Sequence, residues 1–235
     1  MSINKNKLAI IIPVFNEQDI IEKVINDWLS IAKKFDGSII VINDGSFDNS
    51  PKILQKIKKK SNRLLIINKK NSGHGPTLYT GYKIALKKNF KFIFQVDSDD
   101  QFFSKDFYKL WRLRNENLLI LGFRKKRYDS FHRLIITRML KVFNLIIFRK
   151  FVPDANIPYR LMGCKFLKKN FILINSKSLA PNILISIKAA MDKKIKSVVV
   201  SHKERLTGQV WIVKFNLIKF MFKVFIEIIN FKKII

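Results

Sequence analysis

The chain has 235 residues, 48% of them hydrophobic, so one domain or a domain with a tail is expected and disorder is excluded as the default state. Its formal net charge of +29 calls for a polyanionic partner (nucleic acid, anionic lipid or a phosphate-bearing substrate), although an abundance of Lys in the composition supplies part of that charge. The single cysteine, Cys164, excludes an internal disulfide and fits a reducing cytosol.

Leu8 to Val14 is an unbroken apolar run, the pattern of a strand buried on both faces. Asn16 is expected to cap a helix whose apolar positions Ile20, Ile21, Val24, Ile25, Leu29 and Ala32 recur at helical spacing. A second strand, Ser38 to Ile42, leads into Asn43-Asp44-Gly45-Ser46, and a helix follows from Asp48 or Ser50 with Pro51 in its first turn. Arg63 to Ile67 reads as a third strand, followed by Asn71-Ser-Gly73-His74-Gly75 and a helix through Leu86. Phe90 to Val96 is the fourth strand and ends in Asp97, Asp99 and Asp100. Strands alternating with helices at this spacing predict an α/β fold with a doubly wound, right-handed, mostly parallel sheet.

The second half is less regular. Leu118 to Gly122 reads as a strand leading into basic residues 123–127, and Phe131 to Phe148 as a basic amphipathic helix. Residues 153–160 read as an extended or turning stretch, Pro181 as the start of a helix and Lys196 to Val200 as a strand. From Val210 to the end a second long helix mixes Lys with apolar residues. No run reaches about 18 consecutive apolar residues, so no spanning helix is expected. The short apolar run after the amino terminus, broken by Pro13, does not suit a cleaved signal peptide. These features predict a cytoplasmic protein in which the two amphipathic helices can lie against a membrane surface.

Four loops at the carboxyl ends of the first four strands carry polar or small residues: Asn16-Glu17, Asp44-Gly45-Ser46, Gly73-His74-Gly75 and Asp97-Ser98-Asp99. In an open α/β sheet that edge binds ligands. Carboxylates delivered there by a buried strand repel one another unless a cation joins them, and hard oxygen ligands suit Mg²⁺ or Mn²⁺ bridging to phosphate. Any one such loop is equally well an ordinary turn, since Asp, Asn, Ser and Gly favour turns and caps. The ordered set of four is what points to a site. Asp44 has the chemistry to accept hydrogen bonds from a base or ribose, with Gly45 allowing the backbone to approach closely.

On Pro13-Val-Phe-Asn-Glu17, Asn43-Asp44-Gly45-Ser46, Asn71-Ser-Gly-His-Gly75 and Asp97-Ser-Asp99-Asp-Gln101, the chain resembles family-2 glycosyltransferases with the GT-A fold. Within that family it is similar to the group that transfers sugars to polyprenyl or dolichyl phosphate. Looser matches follow at Gly122-Phe-Arg124, Arg133 with Thr137, Asp154 to Arg160 and Arg205-Leu-Thr-Gly208, so the resemblance spans about Leu8 to Gly208. It implies a glycosyltransferase domain at 1–209 and an appended basic amphipathic helix at 210–235. It further implies that Pro13, Glu17, Asp44, Gly73 and Asp97 line the nucleotide-sugar pocket, and that Asp97, Asp99 and Gln101 ligate Mg²⁺ or Mn²⁺. Arg124 and Arg205 would hold phosphates, while Arg133 and Thr137 would meet the phosphate of a lipid acceptor. His74 stands where Lys is frequent in the family, Ser98 where Ala is frequent, and Thr137 in place of the usual Ser.

The implied partners are a UDP- or GDP-linked sugar donor and a lipid-phosphate or glycan acceptor. A phosphate acceptor is already ionised and needs no base, whereas a hydroxyl acceptor needs a positioned carboxylate or His. Asp154, followed by Ala155 and Asn156, is the one carboxylate this region offers for that purpose; pairing with Arg160 or capping a turn is its alternative role. Specific nucleic-acid binding is not expected. The basic residues are spread along the chain and the aromatics lie in apolar runs, so only weak, salt-dependent association with DNA follows from the charge. A nucleotidyltransferase shares the sheet and the carboxylates but fits Asn43-Asp44-Gly45-Ser46 poorly.

Overall fold

A computed structural model describes residues 7–124, 131–204 and 214–235, the side chains of 131–137 and 214–218 excepted. One seven-stranded sheet runs through it. The strands are β1 (Leu8–Val14), β2 (Gly37–Asn43), β3 (Leu64–Asn68), β4 (Phe92–Gln95), β5 (Leu119–Arg124), β6 (Arg160–Gly163) and β7 (Ile195–Val200), in the spatial order β3-β2-β1-β4-β6-β5-β7. β1 lies in the interior of the sheet, parallel to β2 on one side and β4 on the other, and each of its seven residues is buried. That explains its unbroken apolar sequence. The chain runs from β1 outward through β2 to β3, then returns to the far side of β1 for β4. The reversal opens a crevice at the carboxyl ends of β1 and β4, the switch point where α/β sheets take ligands.

β6 was not expected. Its four residues run antiparallel to both β4 and β5, inserted between them, and β5 pairs in parallel with β7. The sheet is therefore parallel in its amino-terminal half and mixed beyond it.

The helices are α1 (Ile21–Lys34), α2 (Ser50–Lys60), α3 (His74–Lys87), α4 (Phe107–Trp111), α5 (Phe131–Phe148), α6 (Cys164–Asn170), α7 (Pro181–Met191) and α8 (Lys214–Ile234). Asn16 does not cap α1. It sits at φ 53° in the left-handed region that Asn tolerates, its Oδ1 accepts the Phe47 N–H and its own N–H donates to Ser46 Oγ. Its side chain thus ties the loop after β1 to the loop after β2, and α1 starts at Ile21. Pro181 stands in the first turn of α7, where its missing N–H costs nothing, and most of that helix is buried.

α8 is docked on the domain. Val224, Ile228 and Phe231 join the same core cluster as the sheet, and Phe225 and Phe231 meet Phe143 and Phe148 of α5. Glu227 accepts the backbone N–H groups of Leu179 and Ala180 and the Ser178 hydroxyl, so it satisfies donors just ahead of α7. From the terminal segment set apart by sequence, Phe220, Met221 and Val224 of α8 thereby contribute to the wall of the crevice.

Asp106, buried at the foot of α4, pins the far end of β7 to the segment after β4. Its Oδ2 accepts the Ser201 N–H at 2.6 Å and its Oδ1 pairs with Lys109 at 2.8 Å. Burial disfavours the carboxylate, but Lys109 and the Ser201 N–H outweigh it and hold the group below its ordinary value of 3.8. Asp106→Asn should therefore cost about 1–3 kcal/mol at neutral pH. A depressed carboxylate contributes stability above its unfolded-state value and loses it as pH falls through the folded one. The gap between variant and wild type in urea unfolding should accordingly be constant from pH 8 to about 5 and close only below about 4.

Candidate active site

The four loops predicted from sequence do converge. A cleft of about 630 Å³ at the switch point is lined by Pro13, Glu17, Asp44, Gly73, Asp97, Asp99, Gln101, Arg124 and Asp154, among others. α5 and α8 add Leu140, Lys141, Asn144, Phe220, Met221 and Val224 to the lining, most of them apolar. Arg133 and Thr137 fall on α5, but their side chains, like all of Arg205, lie outside the described residues.

Asp44, at the end of β2, is 5% exposed and heavily engaged. It accepts the N–H groups of Ser72 and Gly73 at 2.9 Å and is paired with Lys69. It therefore fastens the loop after β3 over the end of β2. Gly45 serves the same closure: it sits at φ +74°, and a Cβ there would lie only 2.8 Å from the Asn71 nitrogen, too close to fit. The close approach that Gly45 permits is to a neighbouring loop of the chain itself.

The three acids after β4 have separate surroundings. Asp97 Oδ1 accepts from Gln95 Nε2 at 3.2 Å and lies 3.1 Å from His74 Nε2. Asp99 Oδ1 accepts the Gln101 N–H at 3.2 Å, which closes a tight turn and holds this carboxylate toward the cleft. Asp100, at φ 55°, is neutralised by Lys23 at 2.9 Å and Lys203 at 2.6 Å. Part of the mutual repulsion expected of this run is thus relieved by lysines and His74. Loss of hydration disfavours the His74 imidazolium, yet Asp97, backed by Asp99 and Asp44, outweighs it and raises the affinity for a proton above the usual histidine value.

Among the described residues no group of three or more His, Cys, Asp or Glu could hold an ion alone. The donor set that is present, carboxylates of Asp97 and Asp99 with the Gln101 amide, fits a hard divalent cation that completes its shell with phosphate oxygens and water. Gln101 is kept beside them by its Nε2, which donates to the Lys203 carbonyl at 3.4 Å.

Arg124, at the end of β5, grips Asp154 through two parallel bonds, Nε to Oδ2 at 2.8 Å and Nη2 to Oδ1 at 3.1 Å. Asp154 pairs with Arg124, therefore, and not with Arg160. Behind the cleft lies a buried polar chain that sequence reasoning missed. Gln95 Oε1 accepts from Asn182 Nδ2 at 3.0 Å, and Asn182 Oδ1 accepts from Tyr82 Oη at 2.7 Å. These groups join Asp97 to the first turn of α7 across 87 and 100 residues of chain, a separation at which local pattern carries no signal. Burial pushes the Tyr82 hydroxyl far above its ordinary range, so it acts as a fixed donor.

The chain matches Glycosyl transferase family 2 over residues 9–201. A functionally uncharacterised protein of Methanocaldococcus jannaschii is 34% identical over 169 residues, covering 67% of this chain and 72% of that protein. An undecaprenyl-phosphate 4-deoxy-4-formamido-L-arabinose transferase of Proteus mirabilis is 25% identical over 140 residues, 57% of this chain but only 42% of that one. Among solved structures, glucosyl-3-phosphoglycerate synthase from Mycobacterium tuberculosis, in complex with Mn²⁺, UDP and glucosyl-3-phosphoglycerate, superposes with a TM-score of 0.70 at 12% identity. That likeness covers 97% of this chain and 80% of the synthase and concerns the fold. A family match running from the first residues of β1 to the end of β7 leaves one assignment: the chain belongs to Glycosyl transferase family 2 and is a glycosyltransferase with the GT-A fold.

Proposed function

We propose that the chain moves a sugar, with inversion, from a UDP- or GDP-linked donor to the phosphate of a polyprenyl-type lipid at the cytoplasmic face of a membrane. The observation that carries this reading is the composition of the cleft: acids and Arg124 at the switch point share it with a mostly apolar lining from α5 and α8, which also brings Lys141. Asp97, Asp99 and Gln101 would hold Mg²⁺ or Mn²⁺, which when bound supplies positive charge to the departing nucleoside diphosphate. Pro13, Glu17, Asp44 and Gly73 line the nucleotide side, and the Arg124 guanidinium, oriented by Asp154, would lend positive charge to phosphate oxygens. Arg205, Arg133 and Thr137 keep the phosphate roles that the family resemblance implies for them. Direct displacement needs no protein nucleophile, which agrees with inversion.

Two features favour a phosphate acceptor. Both Asp154 oxygens are engaged by Arg124, so the carboxylate best placed to act as a base is committed to an ion pair. A lipid phosphate needs no base. The outer surfaces of α5 and α8 also expose Met139, Val142 and Ile146 and, on α8, Phe222, Ile226 and Ile229, at helical spacing and beside Arg138, Lys223 and Lys232. Such a surface suits the headgroup plane of an anionic membrane. No helix among the described residues is long and apolar enough to cross one. The Proteus mirabilis relative, named for undecaprenyl phosphate, supports the acceptor, and the Mn²⁺ and UDP in the synthase structure support the cofactor and donor.

A sugar-hydroxyl acceptor is the second reading, with Asp154 released from Arg124 to serve as base. The two separate in one assay. Purified protein with Mn²⁺, UDP-glucose or GDP-mannose, and undecaprenyl phosphate in phosphatidylglycerol vesicles should yield a glycosyl lipid phosphate by mass spectrometry. Transfer to soluble glycans alone would replace the first reading with the second.

A further inference from the structure

Gln95 ends β4, a strand otherwise made of Phe92, Ile93 and Phe94, and it is completely buried. A fourth apolar side chain would bury there without penalty, whereas a carboxamide must find partners for both of its ends. Gln95 finds them in different elements. Its Oε1 accepts from Asn182 Nδ2 at 3.0 Å and lies 3.4 Å from the Tyr82 hydroxyl, while its Nε2 donates to Asp97 Oδ1 at 3.2 Å. His74 Nε2 lies 3.1 Å from that same oxygen. We propose that Gln95 is a positioning residue for the cation site: its amide holds Asp97 by Oδ1 and so leaves Oδ2 for a divalent ion. This rests on the reading above that Asp97 is an ion ligand, and adds the group that orients it.

The surroundings decide which way the amide points. Turned over, Gln95 would set its carbonyl oxygen against the Asp97 carboxylate and its NH₂ group against that of Asn182. Two repulsive pairs would then replace two hydrogen bonds. Asn182 is fixed in turn, because its Oδ1 accepts the Tyr82 hydroxyl at 2.7 Å. Asn182 and Tyr82 are both buried, so water does not compete for these bonds and the order of donors and acceptors is kept. Groups that hold a ligating carboxylate from behind matter to the ion: removing one lowers metal affinity about 10- to 100-fold.

Calorimetric titration with UDP, in the presence and absence of Mn²⁺, would compare wild type, Gln95→Met, Gln95→Leu and Asp106→Asn. Wild type should bind UDP more tightly when Mn²⁺ is present. Gln95→Met removes the donor to Asp97 and should need about tenfold more Mn²⁺ or worse to reach the same UDP affinity. Its affinity for UDP without Mn²⁺ should equal that of wild type. Asp106→Asn, which weakens the fold at the end of β7 away from the cleft, is the control for stability and should keep the wild-type response to Mn²⁺. An unchanged response in Gln95→Met overturns the proposal. So do equal losses in Gln95→Met and Asp106→Asn, since the effect is then one of stability. A UDP affinity that falls alike with and without Mn²⁺ also overturns it, because Gln95 then serves the nucleotide and not the ion. Gln95→Leu makes the same comparison if Gln95→Met does not fold, and failure of both to fold makes the side chain structural and ends the proposal. Wild-type UDP binding that ignores Mn²⁺ would remove the ion reading itself, and this inference with it; the other outcomes leave that reading in place.

Discussion

Replacing Asp99 with Asn should lower sugar transfer by about 10³-fold or more, roughly 4 kcal/mol of barrier, while leaving the fold intact. The reason lies in what the substitution removes. Asp99 Oδ1 already accepts the Gln101 N–H, and an amide oxygen can take over that bond. The turn after β4 therefore survives, and the Tm should stay within about 2 °C of wild type. What is lost is a negative charge facing the cleft, and with it the proposed grip on a divalent ion. Binding of UDP should then become insensitive to Mn²⁺, a readout independent of turnover.

The neighbouring acid supplies the control. Asp100 is held by Lys23 and Lys203 on the outer side of the turn, and its left-handed backbone is one that Asn adopts. Asp100→Asn breaks two partly exposed ion pairs, worth about 0–1 kcal/mol each, and should reduce transfer less than about tenfold. Full activity in Asp99→Asn, or equal losses in the two variants, would remove Asp99 from the mechanism.

The sequence was most readable in the first three strands, of which β1 and β2 are buried on both faces and the edge strand β3 buries alternate residues. Leu8–Val14 is found with the expected bounds, and Gly37–Asn43 and Leu64–Asn68 differ from expectation by one residue at their ends. In each, most register neighbours are apolar, so the local pattern and the tertiary demand agree. The acids after β4 were readable for the same reason: a buried strand can end in charge only where the sheet opens to solvent or ligand. The pairings across the cleft were not readable. His74 reaches Asp97 over 23 residues and Arg124 reaches Asp154 over 30, and nothing in local periodicity selects those partners from 46 Lys and Arg residues and 3 His. β6 was missed because it is four residues long and opens with an arginine, which reads as exposed. Its pairing with β4 and β5 belongs to the tertiary fold, and so does the burial of that arginine.

That arginine carries the second large effect. Arg160 is completely buried, with no carboxylate among its hydrogen-bond partners. Its Nε and Nη2 donate to the Ile157 carbonyl at 3.0 and 2.8 Å, Nη2 also to Ala155 at 2.9 Å, and Nη1 to the Asn182 carbonyl and Ser186 Oγ at 2.9 and 3.3 Å. Desolvation lowers its proton affinity to about 10, partly offset by Tyr82, Asp154 and Asp97, so it remains cationic at neutral pH. The guanidinium thereby clips the loop carrying Asp154 to the first turn of α7, and Asn182 of that turn supports Gln95 and, through it, Asp97. Arg160→Met keeps most of the volume but strands the Ile157 carbonyl and removes a charged donor from those of Ala155 and Asn182, which keep only Ser186 Oγ, at a cost of about 3–5 kcal/mol. For a chain of this length that lowers the Tm by about 6–20 °C. Arg160→Lys keeps the charge but not the fork, and cannot reach carbonyls on both sides. It should lose most of the same stability, which separates geometry from charge. Calorimetric scans of the three proteins decide the matter: a lysine variant as stable as wild type would mean that charge alone matters here, and a stable methionine variant that neither does.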